Sequence, residues 1–289
     1  MKVHELYDTV TNRIIAELET GAAPWVKPWK NGPVTSGIMP HNGATHRPYN
    51  GINVMLLWAK REVKGYTTPN WMTCRQALAL GAQVKGGEKA TTVVFTKQLR
   101  FKDKETDEET KVGMLKTYVV FNTDQIEGIN HIPDARKLVS PEHSIEAVET
   151  FITSTGADIR MGGNKTCYVP SHDFVAMPEK HQFKSLEHYY ATALHELVHF
   201  TGHPSRLNRD LKNRFSTKAY AAEELIAELG AAFLCAHLGI EGHLRHADYI
   251  ATWLELLRED RRAIFTAASK ASIASDFLRA YSEKAEVAA

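Results

Sequence analysis

The chain has 289 residues and a mass of 32.4 kDa, long enough for one large domain or two modest ones. Its 43% apolar and 24% charged residues exclude wholesale disorder, a collagen-like repeat and a disulfide scaffold, and no apolar run approaches the roughly 18–20 residues of a bilayer span. The formal net charge of +1 hides an asymmetry: residues 1–100 hold 13 Lys/Arg against 6 Asp/Glu, and the rest of the chain carries a net −6.

In chain order, Val3, Leu6, Tyr7, Val10, Ile14, Ile15 and Leu18 recur at helical spacing, so residues 3–18 predict an amphipathic helix ended by Gly21 and Pro24. The Gly/Pro/Asn-rich stretch 31–51 reads as a long ordered loop. Helices are expected over 52–63 and from after Pro69 to Gly81. Thr91–Arg100 and Gly113–Phe121, rich in Thr, Val and Phe, predict a β-hairpin with a charged, solvated tip. Near 122–145 the pattern lapses into Asn, Gly, Pro and His, which divides a first domain, 1–128, from a second, 140–289. The second opens with a short helix near 142–155 and an extended segment, 166–177. Ser185 then caps a helix running to about Thr201, where Gly202 is placed to stop it. A longer helix over 217–238 and one or two more complete the chain. The fold class is α+β, a small N-terminal α/β domain with a β-hairpin followed by a mainly helical domain.

Three cysteines (Cys74, Cys167, Cys235) form no Cys-x-x-Cys pair, which points to a reduced compartment and against a cysteine-only zinc site. The opening residues lack the apolar stretch of a secretory signal, so the expected address is the cytoplasm.

The sharpest signal is His195-Glu196-Leu197-Val198-His199. Four residues apart on a helix, both imidazoles face one side and can share a tetrahedral metal. Glu196 is then placed as general base, taking a proton from a water that the metal acidifies. The bland alternative is a polar helix face. A third histidine in the extended zinc pattern would stand at 205, which is Ser205, and His203 is the nearby substitute. The other candidate is Glu224, from Glu223-Glu224-Leu225-Ile226-Ala227-Glu228, with Glu228 on the same face to hold a ligand imidazole's second nitrogen. Glu223, a hundred degrees round the helix, is expected to be solvated. Zinc is the expected ion, with another divalent transition metal as the alternative. Tyr168, His172 and Asp173 are weaker cleft candidates.

In the front half, cations interleave with aromatic residues, and four of the five tryptophans lie there. Trp25, Lys27, Trp29, Lys30, Arg47, Tyr49, Asn50, Trp71 and Lys89 are the candidates for contacting single-stranded nucleic acid, cations along phosphates and rings against bases. The opposing reading is that the tryptophans are core and the charge only solvated.

These residues carry a family resemblance. Arg47-Pro48-Tyr49-Asn50-Gly51-Ile52-Asn53, Trp71-Met72-Thr73 and Gly86-Gly87-Glu88-Lys89 in front, with Tyr189–His203 and Tyr220–Phe233 behind, resemble the ArdC-type antirestriction proteins of conjugative plasmids. The resemblance implies an N-terminal single-stranded-DNA-binding domain and a C-terminal zincin-like (gluzincin-type) metallopeptidase domain, and a role in protecting incoming plasmid DNA from host restriction. A restriction enzyme or another protein would be the further partner, and no membrane is involved. Two rivals stay open: a cytosolic zinc metallopeptidase without nucleic-acid function, and a DNA-binding accessory factor whose metal is structural.

Overall fold

The computed structural model describes residues 3–21, 23, 25, 39–102, 109–129, 141–209, 218–240 and 249–288. The chain divides into two compact units, Met1–Thr9 with Pro40–Pro133, and Val10–Met39 with Asp134–Ala289. Helix α1 (Val3–Glu19) buries the expected stripe of Leu6, Val10, Ile14 and Leu18.

The first unit is built on a sheet of order β1-β2-β5-β4. Strand β1 (His41–Asn42) runs parallel to β2 (Asn70–Met72), and helix α2 (Ile52–Lys64) lies between them in sequence. The helix expected after Pro69 is shorter than its pattern suggested. Asn70–Met72 pair with both sheet neighbours, and Thr73, in a reciprocal cap with Gln76, starts helix α3 (Cys74–Ala79) only after them. Strand β3 (Gln83–Val84) pairs with β6 (Ile126–Glu127) in a small second sheet. The predicted hairpin is a long ladder of β4 (Thr91–Lys102) on β5 (Glu109–Asn122), and its acidic tip, 103–108, lies outside the described residues. Trp71, Leu57, Val93, Val120 and Tyr49 form the core. Asn53 on α2 clips the helix to the sheet, its amide donating to Val94 O and accepting from Val94 N, both at 2.7 Å.

In the second unit, helix α4 (Pro141–Ser154) precedes a three-stranded sheet of order β7-β9-β8, formed by β7 (Asp158–Met161), β8 (Cys167–Val169) and β9 (Phe174–Met177). Among the described residues four α-helices follow: α5 (Leu186–Thr201), α6 (Lys218–Leu238), α7 (Ile250–Glu259) and α8 (Ala263–Ala288). Ser185 accepts from His188 N and starts α5 where the sequence placed the cap. Helix α6 is buried on nearly every side, from Glu223 through Ala236, and packs on α5 and α8. The described residues Thr11, Glu19 and Trp25, from the stretch expected in the first domain, make their contacts within this second unit. Trp25 meets Trp253 of α7 edge-on at 5.5 Å, Thr11 donates to Arg261 O at 2.8 Å, and Arg258 pairs with Glu19 at 2.5 Å.

One contact sets the approach of α5 to α6. A Cβ built on Gly230 would lie 2.8 Å from Val198 Cγ2, and Val198 is stiff and fully buried. Gly230→Ala is therefore expected to destabilise this unit by about 1–3 kcal/mol, because overpacking outweighs the gain in helix propensity. A melting temperature equal to or above that of the wild type would refute this.

Candidate metal centre and nucleic-acid face

His195 and His199, one turn apart on α5, stand 4.9 Å apart between ring centroids, and both point at α6. Glu224 faces both, Oε2 at 3.5 Å from His195 Nε2 and Oε1 at 3.4 Å from His199 Nε2. Among the described residues these three form the group able to hold a metal, with one ligand atom from each within 4.8 Å of the others. The separations are long for hydrogen bonds. They match the roughly 3.4 Å between neighbouring ligand atoms around a tetrahedral ion with bonds of about 2.1 Å. The donor set, two imidazoles and a carboxylate, is one that suits zinc and its divalent neighbours, so the residues fit the ion.

The outer nitrogens of both rings face carboxylates. Glu228 Oε1 lies 3.9 Å from His195 Nδ1, and Glu223 Oε1 lies 3.2 Å from His199 Nδ1. An Nδ1–H turned to a carboxylate leaves the Nε2 lone pair for a metal. Glu223, expected to be solvated, is only 7% exposed. Arg209 holds it through Nε at 3.0 Å and Nη2 at 2.8 Å, and also donates to Val198 O and Thr201 Oγ1.

The charges follow the packing. Burial opposes charge on both histidines, but the facing glutamates outweigh it and raise them, His199 to about 10. Burial alone would raise Glu224, yet His195 and His199 hold it well below the usual carboxylate range.

Glu196 is buried beside the pair, and its Oε2 accepts the Tyr168 backbone N–H at 2.7 Å. Strand β8 thus restrains the candidate base. Tyr168 itself is fully buried, and its hydroxyl is committed to Asp173 at 2.7 Å and to Arg206 at 3.1 Å, so it is not presented for an oxyanion. Arg206 also donates to Phe200 O at 2.6 Å and lies 3.5 Å over the Phe200 ring, tying β8 to the end of the metal helix. The Arg206 guanidinium holds the Asp173 carboxyl down at about 2. His203 turns into its own loop, 2.7 Å from Ser205 Oγ, and His172 contacts Ser171. Tyr220, one turn before Glu224, was missed as a site residue. Burial raises its phenol, as do Tyr249, whose hydroxyl is 3.0 Å away, and Glu224.

The front-half candidates divide. Arg47, Asn50 and Lys89 are exposed. Tyr49 and Trp71 are core residues of the first unit, 8% and 0% exposed, and Trp25, at 1%, is core in the second. None of these three rings offers a face to a base, because each is spent on packing. Lys27, Trp29 and Lys30 lie outside the described residues. Among the described residues of the first unit, the exposed aromatic rings are Phe95 and Tyr118, which sequence reasoning passed over as ordinary hairpin residues.

Fold and site together define a two-unit α+β protein carrying a zincin-type His-Glu-x-x-His helix with a glutamate from the next helix. Residues 146–270 match the zincin-like metallopeptidase family, and residues 4–121 match the N-terminal domain of the anti-restriction factor ArdC. An uncharacterized protein, y4eC, of Sinorhizobium fredii is 40% identical over 98% of this chain and 94% of its own length. A DNA primase TraC of Escherichia coli is 39% identical over 96% of this chain, which spans only 27% of that protein. The crystal structure of the antirestriction protein ArdC from plasmid R388 superposes with a TM-score of 0.79 in its metal-free form, at 42% identity over 96% of this chain and 98% of that one. Its Mn(II)-bound form gives 0.77, at 41% identity over 96% of this chain and 97% of that one. The chain belongs to the ArdC antirestriction family. Among the described residues, no helix is long and apolar enough to cross a membrane.

Proposed function

We propose that this chain is an antirestriction protein of mobile DNA that binds single-stranded DNA through its first unit and holds a divalent ion, zinc by preference, in its second. Membership of the ArdC family and the Mn(II)-bound relative support the reading. The observation that carries the metal assignment is the convergence of His195, His199 and Glu224, with Glu224 3.5 Å and 3.4 Å from the two Nε2 atoms and one ligand atom from each residue within 4.8 Å of the others. Three protein ligands leave one position open, which favours a catalytic over a purely structural ion.

The bound ion would supply Lewis acidity, polarising a carbonyl and acidifying water. Glu196 supplies the proton transfer. The Tyr168 N–H fixes one of its carboxylate oxygens, which leaves the other to take a proton from water and pass it to a leaving amine. Glu223 and Glu228 orient the imidazoles. Excess positive charge in the first unit draws the phosphate backbone.

Two measurements test this. Binding of the full chain to single-stranded and duplex oligonucleotides across a salt series is expected to show a salt-sensitive preference for single strands. Glu196→Gln is expected to keep the fold and the metal and to lose any hydrolysis and the protection of transferred DNA. A variant that protects as well as the wild type would leave the ion a structural role.

A further inference from the structure

We propose that Phe95 and Tyr118 form the base-stacking face of the first unit, with Lys116 beside them for the phosphates; this rests on the single-stranded-DNA reading above. In the β4–β5 ladder Val93 stands opposite Tyr118, and Phe95 stands opposite Lys116. Paired positions and their second neighbours share one face of a sheet. That face begins in the core, where Val93 and Val120 pack with Trp71. Further along the ladder it surfaces, with Phe95 57% and Tyr118 48% exposed. The two rings touch edge-on, 5.7 Å between centroids at 82°. Their contact forms a corner in which a base laid on one ring meets the edge or face of the other. Lys116 through Val119 are all exposed, so both faces of β5 stand clear of the core there.

Touching aromatic rings in water require a partner more than single exposed apolar residues do. Charge selects which. Residues 40–102 and 109–129 carry twelve Lys/Arg against five Asp/Glu. Among the described residues, the side chains of Arg47, Lys89 and Lys116 have no carboxylate or hydrogen-bond partner, whereas Asp124 is held by Thr67, Glu88 by Gln125 and Glu127 by Gln83. A second copy would bring like charge to like charge. A duplex would leave the rings without exposed base faces. A single strand offers phosphates and unpaired π-faces together.

The test is fluorescence anisotropy of labelled oligo(dT) with the full chain. Phe95→Ala and Tyr118→Ala are each expected to weaken binding about ten-fold, by the usual worth of one base on one ring. Their salt slope should match the wild type, since phosphate contacts remain. Lys116→Gln should instead make the slope shallower by about one. Tyr118→Trp, which keeps a ring in place, should bind as the wild type does and be quenched on titration. Wild-type affinity in a folded Phe95→Ala/Tyr118→Ala variant, or no quenching in Tyr118→Trp, would overturn the stacking face and leave the DNA reading standing. A wild-type chain that fails to bind oligo(dT) would remove both. Sedimentation showing that the double variant dissociates a wild-type dimer, with DNA affinity unchanged, would make the patch a contact between copies and overturn the proposal.

Discussion

Arg209→Met is expected to cost about 3–5 kcal/mol of the second unit's stability, the usual result of removing one partner from a buried ion pair. The Arg209 and Glu223 side chains are 7% and 9% exposed, and the guanidinium makes four kinds of contact at once: both Glu223 oxygens, Val198 O and Thr201 Oγ1. Methionine fills the space but leaves a buried carboxylate leaning on His199 alone, while Thr201 Oγ1 and Val198 O keep only the 2.6 Å bond between themselves. For a unit of this size the melting temperature should fall on the order of 10 °C. Glu223→Gln has a different expected signature. The amide still bridges Arg209 and His199, but without the charge that favours Nδ1–H, and metal affinity should drop about 10–100-fold with a smaller loss of stability. Thermal melts with a chelator present, and metal titrations of each variant and of the double variant, read both effects. Near-wild-type melting of Arg209→Met would show that Glu223 finds other solvation and that the strut does not support the site.

That Glu223 was missed, while Glu224 and both histidines were legible, has a geometric reason. The histidines repeat at four residues on one helix, and such a repeat is a local property that sequence displays directly. Glu223 lies a hundred degrees round the helix from Glu224, and on a helix with one open side that offset predicts a solvated carboxylate. Yet α6 is enclosed along its length, so neighbouring glutamates reach His199 from two sides. The available signal was composition: a helix apolar all round makes every carboxylate in it a buried one that requires a partner.

The same limit governs the front half. Helix α1, α2 and the hairpin follow from period and composition, within a few residues of their observed ends. What a tryptophan packs against is not local. Trp25 lies with the basic residues in sequence but is buried against Trp253. Trp71 sits in a three-residue strand with a sheet partner on either side. Conversely, Phe95 and Tyr118 carry no mark in the sequence, because alternation predicts that one face of a hairpin is apolar and says nothing of where that face leaves the core.

Loading a divalent ion into the metal-free protein near neutral pH is expected to release at least about one proton, because the ligand imidazoles must bind neutral. Burial alone would keep His195 and His199 unprotonated, but the facing carboxylates outweigh it and raise both, Glu223 and Glu224 taking His199 to about 10, so that His199 starts charged. The consequence for stability has a definite sign. A histidine whose folded pKa is raised contributes stability that is fully present below its unfolded value of 6.5 and is lost as pH rises through about 10. The metal-free second unit should therefore melt at progressively lower temperature across that window. The ion replaces those protons, so its own stabilisation grows as they leave, and the gap between metal-loaded and metal-free melting temperatures should widen with pH. Calorimetric titration in buffers of different ionisation enthalpy counts the protons directly. Heats independent of the buffer, or a gap that narrows as pH rises, would mean that the imidazoles are already neutral and that the carboxylates around them serve only to pack the two helices.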